Sequence, residues 1–195
     1  MTTIGIFVFD GAEELDWAGP WEVLASWAQG WPEDGVAVFT MSPDGEAVTC
    51  AKGLRVTPDH SLDSAPPIDV LVYPGGRGTR DHLGDQRIRS WLHSERDRGT
   101  LLTSVCTGAL VFADAGLLDG RPATTYWSAM ESMTELGSDI EPRPDDRWVD
   151  TGDVVTAAGV SAGIDMALHL VQRLASTERA VAVRRRIQYD PLPPV

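Results

Sequence analysis

The chain has little of what marks secreted, membrane and disulfide-rich proteins. It has two cysteines in 195 residues, Cys50 and Cys106, so it cannot carry a disulfide framework, and this usage is typical of a reducing compartment. No apolar run approaches the roughly 18 residues that span a membrane. The opening letters MTTIGIFVF have no basic segment before them, unlike a secretory signal peptide. We therefore expect a soluble, cytoplasmic protein.

Positive charge is also scarce, because 16 Lys and Arg face 29 Asp and Glu, for a net charge of −13. Nucleic acids and anionic membrane surfaces both need cations to neutralise phosphates. The composition therefore predicts neither partner and leaves a small-molecule substrate open. No metal site is expected either, because no metal-ligand spacing relates the four histidines, which are His60, His82, His93 and His169.

What is present is an alternation of apolar runs and helical patterns. Runs at residues 4–9, 36–41, 68–73 and 101–105 are typical of buried parallel strands. The pattern predicts an α/β fold with one domain over residues 1–195, in which a doubly wound, mostly parallel sheet has helices on both faces. We expect the first helix to begin near Pro20, with Asp16 just before it or in its first turn. The proline-rich letters DPLPPV at the end should lie extended.

The main candidate site is Cys106, in the segment TSVCTGAL at residues 103–110. A strand ends, the cysteine follows, and a helix begins with small residues, which resembles a nucleophile elbow. Because the helix amino terminus carries partial positive charge, we expect a lowered thiol pKa. The alternative is a buried structural cysteine, which is the interpretation we favour for Cys50 in its predicted hairpin.

Two further segments can supply partners for the thiol. Gly75 and Gly76 follow a strand and expose backbone N–H groups, which can form an oxyanion hole, cradle a phosphate or simply make a turn. Asp16 lies in an acidic stretch with Glu13 and Glu14, and one of these carboxylates can meet the thiol and exchange a proton with it. The alternative for each of these three acids is a solvated side chain at the surface.

These segments together resemble the ThiJ/PfpI family, a branch of the class I glutamine amidotransferase-like, flavodoxin-like fold. Within it, the chain is similar to the isonitrile hydratases. The resemblance spans nearly the whole chain and is carried by the segments LDWAGP (15–20), PGG (74–76), SVCTGALVFADAGLLDGRPATT (104–125), SAGID (161–165) and QYDP (188–191). The same domain occurs at the amino end of AraC-type regulators, and we expect no helix-turn-helix domain here because the chain ends at Val195.

The resemblance implies a homodimeric hydro-lyase without metal or organic cofactor that adds water to an isonitrile and yields an N-substituted formamide. It implies that Cys106 attacks the isonitrile carbon to form a thioimidate. Asp16 would handle protons, Thr107 would hydrogen-bond near the thiolate or Asp16, and Gly75 and Gly76 would supply backbone donors. Three residues are assigned to the substrate pocket with them: Tyr126, Trp127 and Val160.

The chain departs from the family pattern at two places. Tyr126 stands where relatives often carry a histidine, and Ala157-Ala158 precede the long helix where hydratase relatives are richer in glycine. Both departures affect the choice of substrate more than the identity of the nucleophile. Other family activities, such as glyoxalase, deglycase or amidase chemistry, therefore stay open, as does a cysteine-based redox sensor or ligand-binding module.

Overall fold

A computed structural model describes residues 1–190. The prediction for the proline-rich end concerns residues 190–195, of which 191–195 lie outside this range. The strands are β1 (Thr2–Phe7), β2 (Val36–Ser42), β3 (Val48–Thr49), β4 (Arg55–Val56), β5 (His60–Ser61), β6 (Val70–Tyr73), β7 (Leu101–Val105), β8 (Pro122–Ala123), β9 (Glu141–Pro142), β10 (Trp148–Asp150) and β11 (Val154–Ala157). The helices are α1 (Glu14–Gly30), α2 (Thr79–His82), α3 (Gln86–Asp97), α4 (Gly108–Asp114), α5 (Met130–Leu136), α6 (Ala162–Leu174) and α7 (Thr177–Arg186).

The centre of the described chain is a seven-stranded sheet in the order β10-β11-β7-β6-β1-β2-β5. All neighbours in it are parallel except β10 and β11, which pair antiparallel. Strands β6, β7 and β11 are buried along their whole length. This confirms the predicted α/β class with its mostly parallel sheet. It also brings the carboxyl ends of β1, β6 and β7 side by side, where open α/β sheets place their ligands.

Helices surround the sheet in two groups. Helix α1 packs against α6 and α7, whereas α4 packs against α2 and α5. Two small strand pairs lie outside the main sheet: β3 and β4 pair antiparallel, and β8 and β9 pair parallel. Within residues 1–190, no helix is both long and apolar enough to cross a bilayer.

The predicted start of the first helix is wrong. Helix α1 begins at Glu14, and Pro20 lies inside it. A proline in a helix interior loses one backbone hydrogen bond and usually breaks the helix. Here the helix continues because this stretch packs tightly on α6: a Cβ built on Gly163 would lie 3.2 Å from the Pro20 ring, and one on Gly19 would lie 3.0 Å from Ile164. Tertiary packing therefore overrides the local signal, and Asp16 falls in the first helical turn.

Candidate active site

Cys106 occupies the sharp turn between β7 and α4, as the sequence predicts. Its φ of 55° lies in the left-handed region that residues with side chains rarely adopt. Its N–H donates to the carbonyls of Ala157 and Ala158, both at 3.1 Å, and the buried Thr125 hydroxyl donates to its carbonyl at 2.7 Å. These bonds, made by Ala157 at the end of β11, by Ala158 and by Thr125, hold the strained turn. The local sequence around Thr125 does not predict its hydrogen bond to the Cys106 carbonyl.

The start of α4 lies directly against the end of β6. A Cβ on Gly108 would lie 2.6 Å from the Tyr73 carbonyl oxygen and 2.9 Å from that of Pro74. Because such contacts are too short for any side chain, glycine is required at position 108 for the turn to approach the sheet. Cys106 is left 6% exposed.

The Asp16 carboxyl lies beside this thiol and is completely buried. Its Oδ2 accepts a hydrogen bond from the Gly75 N–H at 2.9 Å, whereas its Oδ1 has no well-formed partner among residues 1–190. The carboxyl and the Cys106 thiol interact directly, since each changes the pKa of the other. Burial raises the pKa of Asp16 to about 7, and the Gly75 N–H opposes this rise only in part.

The predicted lowering of the Cys106 pKa is wrong. Burial, and then the negative charge of Asp16, raise the pKa of the thiol to about 12. Backbone N–H groups of Thr107 and Val160 face the sulfur and lower this pKa, but by less than burial raises it. The carboxyl and the thiol therefore form a coupled pair that holds one proton above about pH 7, and the charge on either group depends on where that proton sits.

The backbone N–H groups of Gly75 and Gly76 both have acceptors within the protein. The Gly75 N–H bonds Asp16, and the Gly76 N–H donates to the Thr107 hydroxyl at 2.9 Å. That hydroxyl also bonds the Gly76 carbonyl at 3.2 Å and accepts from Thr79 at 3.3 Å. The two glycines thus position acidic and hydroxyl groups, and Thr107 reaches the sulfur through its backbone N–H. The backbone N–H groups that face the sulfur are those of Thr107 and Val160, and the oxyanion role of Gly75 and Gly76 stays a prediction.

Gly75 also has no room for a side chain. A Cβ there would lie 2.5 Å from the Thr107 N, 2.7 Å from its hydroxyl and 2.8 Å from Asp16 Oδ2. Position 75 is therefore the point at which the turn after β6 meets both the first turn of α1, which carries Asp16, and the turn that carries Cys106 and Thr107. Any side chain at this position displaces the carboxyl from the thiol.

The three residues predicted for the pocket lie in two places. Val160 precedes α6 with a φ of 47°, which is unusual for a β-branched residue, and it directs its N–H at the sulfur. The Tyr126 ring packs against Gly159, next to Val160, and contacts the Trp127 ring at a centroid distance of 5.6 Å. Trp127 itself is 75% exposed. The structure therefore brings Val160 to the thiol and places Tyr126 one residue further out, with Trp127 at the surface.

Cys50, unlike Cys106, lies outside the turn between β7 and α4. It is completely buried in the connection between β3 and β4, where burial raises its pKa and the neighbouring Trp17 side chain lowers it by less. These features fit the structural role predicted for it. Among residues 1–190, the His, Cys, Asp and Glu side chains form no group of three or more that could hold a metal ion.

Known proteins resemble the chain over most of its length. A profile of the DJ-1/PfpI family matches residues 2–173. The chain is 36% identical over 191 residues to the isonitrile hydratase of Pseudomonas putida, which covers 98% of this chain and 80% of that protein. It is 32% identical over 151 residues to the HTH-type transcriptional regulator GbdR of Pseudomonas aeruginosa, over 77% of this chain but 41% of the regulator. A crystal structure of a ThiJ/PfpI family protein from Pseudomonas syringae superimposes with a TM-score of 0.89 at 30% identity, covering 100% of this chain and 77% of that one.

Proposed function

The chain belongs to the DJ-1/PfpI family, and from that membership we propose that it is a lyase that adds water to an isonitrile and yields an N-substituted formamide. The observation that carries the proposal is the buried Asp16 carboxyl beside the Cys106 thiol, a pair that holds one proton at neutral pH. The similarity to the Pseudomonas putida isonitrile hydratase over 98% of this chain supports the substrate class.

The reacting form of the pair has a thiolate and a neutral carboxyl. Moving the shared proton from sulfur to Asp16 removes the carboxylate charge that raises the Cys106 pKa. The Thr107 and Val160 amides then donate to a sulfur that carries the negative charge. Because these donors are fixed by the backbone, they stabilise the anion without reorganising.

In the first step, the Cys106 sulfur bonds the terminal isonitrile carbon, and the Asp16 carboxyl delivers its proton to the same carbon. This addition converts the isonitrile into a thioimidate, in which sulfur and hydrogen share that carbon and its double bond to nitrogen remains. Asp16 is left as a carboxylate. The covalent intermediate divides one difficult hydration into two easier additions.

In the second step, Asp16 takes a proton from water while the water oxygen bonds the thioimidate carbon, and the proton passes to nitrogen. The carbon–sulfur bond then breaks, the hydroxyl proton returns to Asp16, and the formamide leaves. Isonitrile plus water gives formamide, and the thiolate and neutral carboxyl are restored. Asp16 thus acts twice as an acid and twice as a base in one turnover.

The proposal is tested by incubating the purified protein with an aromatic isonitrile and measuring formamide by chromatography and mass spectrometry. We expect turnover by the wild type and by Cys50→Ala, which removes the other cysteine, and a thioimidate adduct on the Cys106 peptide when the reaction is quenched. Cys106→Ser and Asp16→Asn should each lose at least about 100-fold in kcat. Absence of turnover by the wild type, or full turnover by Cys106→Ser, contradicts the proposal.

The same preparation separates this chemistry from other activities of the family. Consumption of methylglyoxal at a rate above that of the isonitrile would favour a glyoxalase-type enzyme instead. The homodimer implied by the resemblance stays a prediction that light scattering tests. Independence from nucleic acid also stays a prediction, because the regulator GbdR is among the proteins that resemble this chain, and a DNA-retardation assay tests it.

A further inference from the structure

The β3–β4 hairpin is fastened to the loop that leads into α1. The Thr49 N–H donates to the Asp10 carboxylate at 2.6 Å, and the Thr49 carbonyl accepts from the Gly11 N–H at 2.8 Å. The Ala51 N–H donates to the Ala12 carbonyl at 2.8 Å. Three consecutive residues of the loop are thus each held by the hairpin. The last of these bonds is made at Ala12, two residues before α1 begins, so the hairpin fixes the position at which the helix starts.

The tip of the hairpin adds a cation to this junction. The Lys52 N–H donates to Glu14 Oε1 at 2.7 Å, and its ammonium group pairs with the Glu13 carboxylate and lies 3.7 Å from Glu14 Oε2. The Lys52 side chain is 66% exposed, whereas that of Glu13 is 20% exposed. A single exposed lysine therefore faces both acids that lie two and three residues before Asp16 on the chain.

These charges act on the buried carboxyl in opposite directions. Glu13 raises the pKa of Asp16, and Lys52 lowers it. The other groups that face this carboxyl are the Gly75 N–H from the β6 turn and the Cys106 thiol from the elbow, and both lower its pKa. Among these neighbours, Glu13 and Lys52 are the ones that carry a full charge at neutral pH when the thiol is protonated.

We infer that Lys52 and Glu13 form a positioning pair for the active site: the hairpin tip fixes the amino-terminal start of α1, and the Lys52 cation and the Glu13 anion set the charge state of Asp16 from outside. The inference rests on the proposed Asp16–Cys106 chemistry. It assigns a role in the reaction to two residues that do not touch the reacting atoms. It also explains why a short hairpin outside the main sheet is tied to the one helical turn that carries the acid.

The experiment measures the rate at which iodoacetamide alkylates Cys106 between pH 5 and pH 9, followed by mass spectrometry of the Cys106 peptide. The wild-type rate should rise with a midpoint near the Asp16 pKa of about 7. Lys52→Met should move the midpoint up by about 0.3–0.5 pH units, and Glu13→Gln should move it down by about as much. The double variant and Lys52→Arg should both lie close to the wild type.

Two controls separate tuning from structural support. Arg96→Met removes a cation in the last turn of α3 that does not act on Asp16, and it should leave the midpoint unchanged. Asp16→Asn should remove the midpoint near pH 7. Lys52→Met and Glu13→Gln break the same ion pair, so a purely structural pair would change both profiles alike.

Opposite shifts of the two single variants support the inference. Shifts in the same direction, no shift, or a wild-type profile without a midpoint near pH 7 overturn it. Isonitrile turnover is measured on the same preparations. A wild type that does not hydrate isonitriles but shows the opposite shifts would contradict the proposed function and leave the positioning pair standing.

Discussion

Replacing Asp16 with asparagine should make the protein more stable at neutral and mildly alkaline pH while it abolishes turnover. The carboxyl is completely buried, and burial raises its pKa to about 7 from an ordinary value of 3.8. Ionising it in the folded state therefore costs free energy that an uncharged amide of the same shape does not cost. Asparagine can still accept the Gly75 N–H, so the main hydrogen bond of the side chain is retained.

The size and sign of the effect follow from this pKa difference. A group whose pKa is raised by folding stabilises the protein below its unfolded pKa, and that contribution is lost as pH rises through the folded pKa. The rise from 3.8 to about 7 spans about three units. At about 1.4 kcal/mol per unit, the advantage of Asp16→Asn should grow with pH between about 4 and 7 and reach about 4 kcal/mol above pH 7.

The assay is urea unfolding of both proteins at several values between pH 4.5 and pH 8.5, followed by tryptophan fluorescence. The difference in free energy of unfolding should increase through this range and level off above pH 7. Asp153→Asn is the matched control, because the Arg121 side chain holds the pKa of Asp153 below its usual value and its contribution is constant over this range. A pH-independent difference for Asp16→Asn would refute the reasoning, because it would mean that the buried carboxyl does not titrate near neutrality.

Three other outcomes are expected. Gly75→Ala, whose Cβ would lie 2.5 Å from the Thr107 N, should lower kcat at least about 100-fold. The control Gly30→Ala, whose Cβ would lie 3.5 Å from its nearest neighbour, should keep the wild-type kcat. Equal kcat values for the two variants would show that close contact of Gly75 with Thr107 and Asp16 is not needed for turnover. Thr125→Val should lower the free energy of unfolding by about 1–3 kcal/mol, because it removes the 2.7 Å bond to the Cys106 carbonyl; a loss below about 0.5 kcal/mol in urea unfolding would show that this bond does not hold the elbow. The kcat/KM for an isonitrile should rise with pH to a plateau above about pH 7, where the pair has lost one of its two protons, and a rate that falls through this range would contradict the thiolate mechanism.

The parts of the fold that depend on local pattern could be predicted from the sequence. Strand β7 begins and ends where its apolar run does, and Cys106 lies at the turn that follows it. Asp16 falls in the first turn of a helix after β1, within the predicted range. These features follow from hydrophobic periodicity and from small residues at a strand end, both of which are visible over a few residues.

The properties that depend on packing between distant segments could not be predicted from the sequence. The helix breaker at Pro20 is overridden by the contact with α6, which lies far along the chain. The pKa of Cys106 was predicted with the wrong sign because the helix terminus is local and visible, whereas the burial and the Asp16 charge that dominate it come from other segments. The amides of Gly75 and Gly76 likewise find their acceptors on α1 and at the elbow, so glycine content alone does not tell which atoms they serve.

The pairing of β1, β6 and β7 has a consequence for how the chain matures. Asp16 follows the first of these strands and Cys106 the last, so the two acids meet only after long-range strand pairing is complete, which is the slow part of folding in parallel sheets. Until then Cys106 is an ordinary thiol in a flexible segment, open to any electrophile. Completion of the sheet withdraws it from solvent and gives it its proton partner in the same event. The fraction of molecules in which Cys106 reacts with a bulky thiol reagent should therefore equal the fraction of a newly made population that has not yet finished folding.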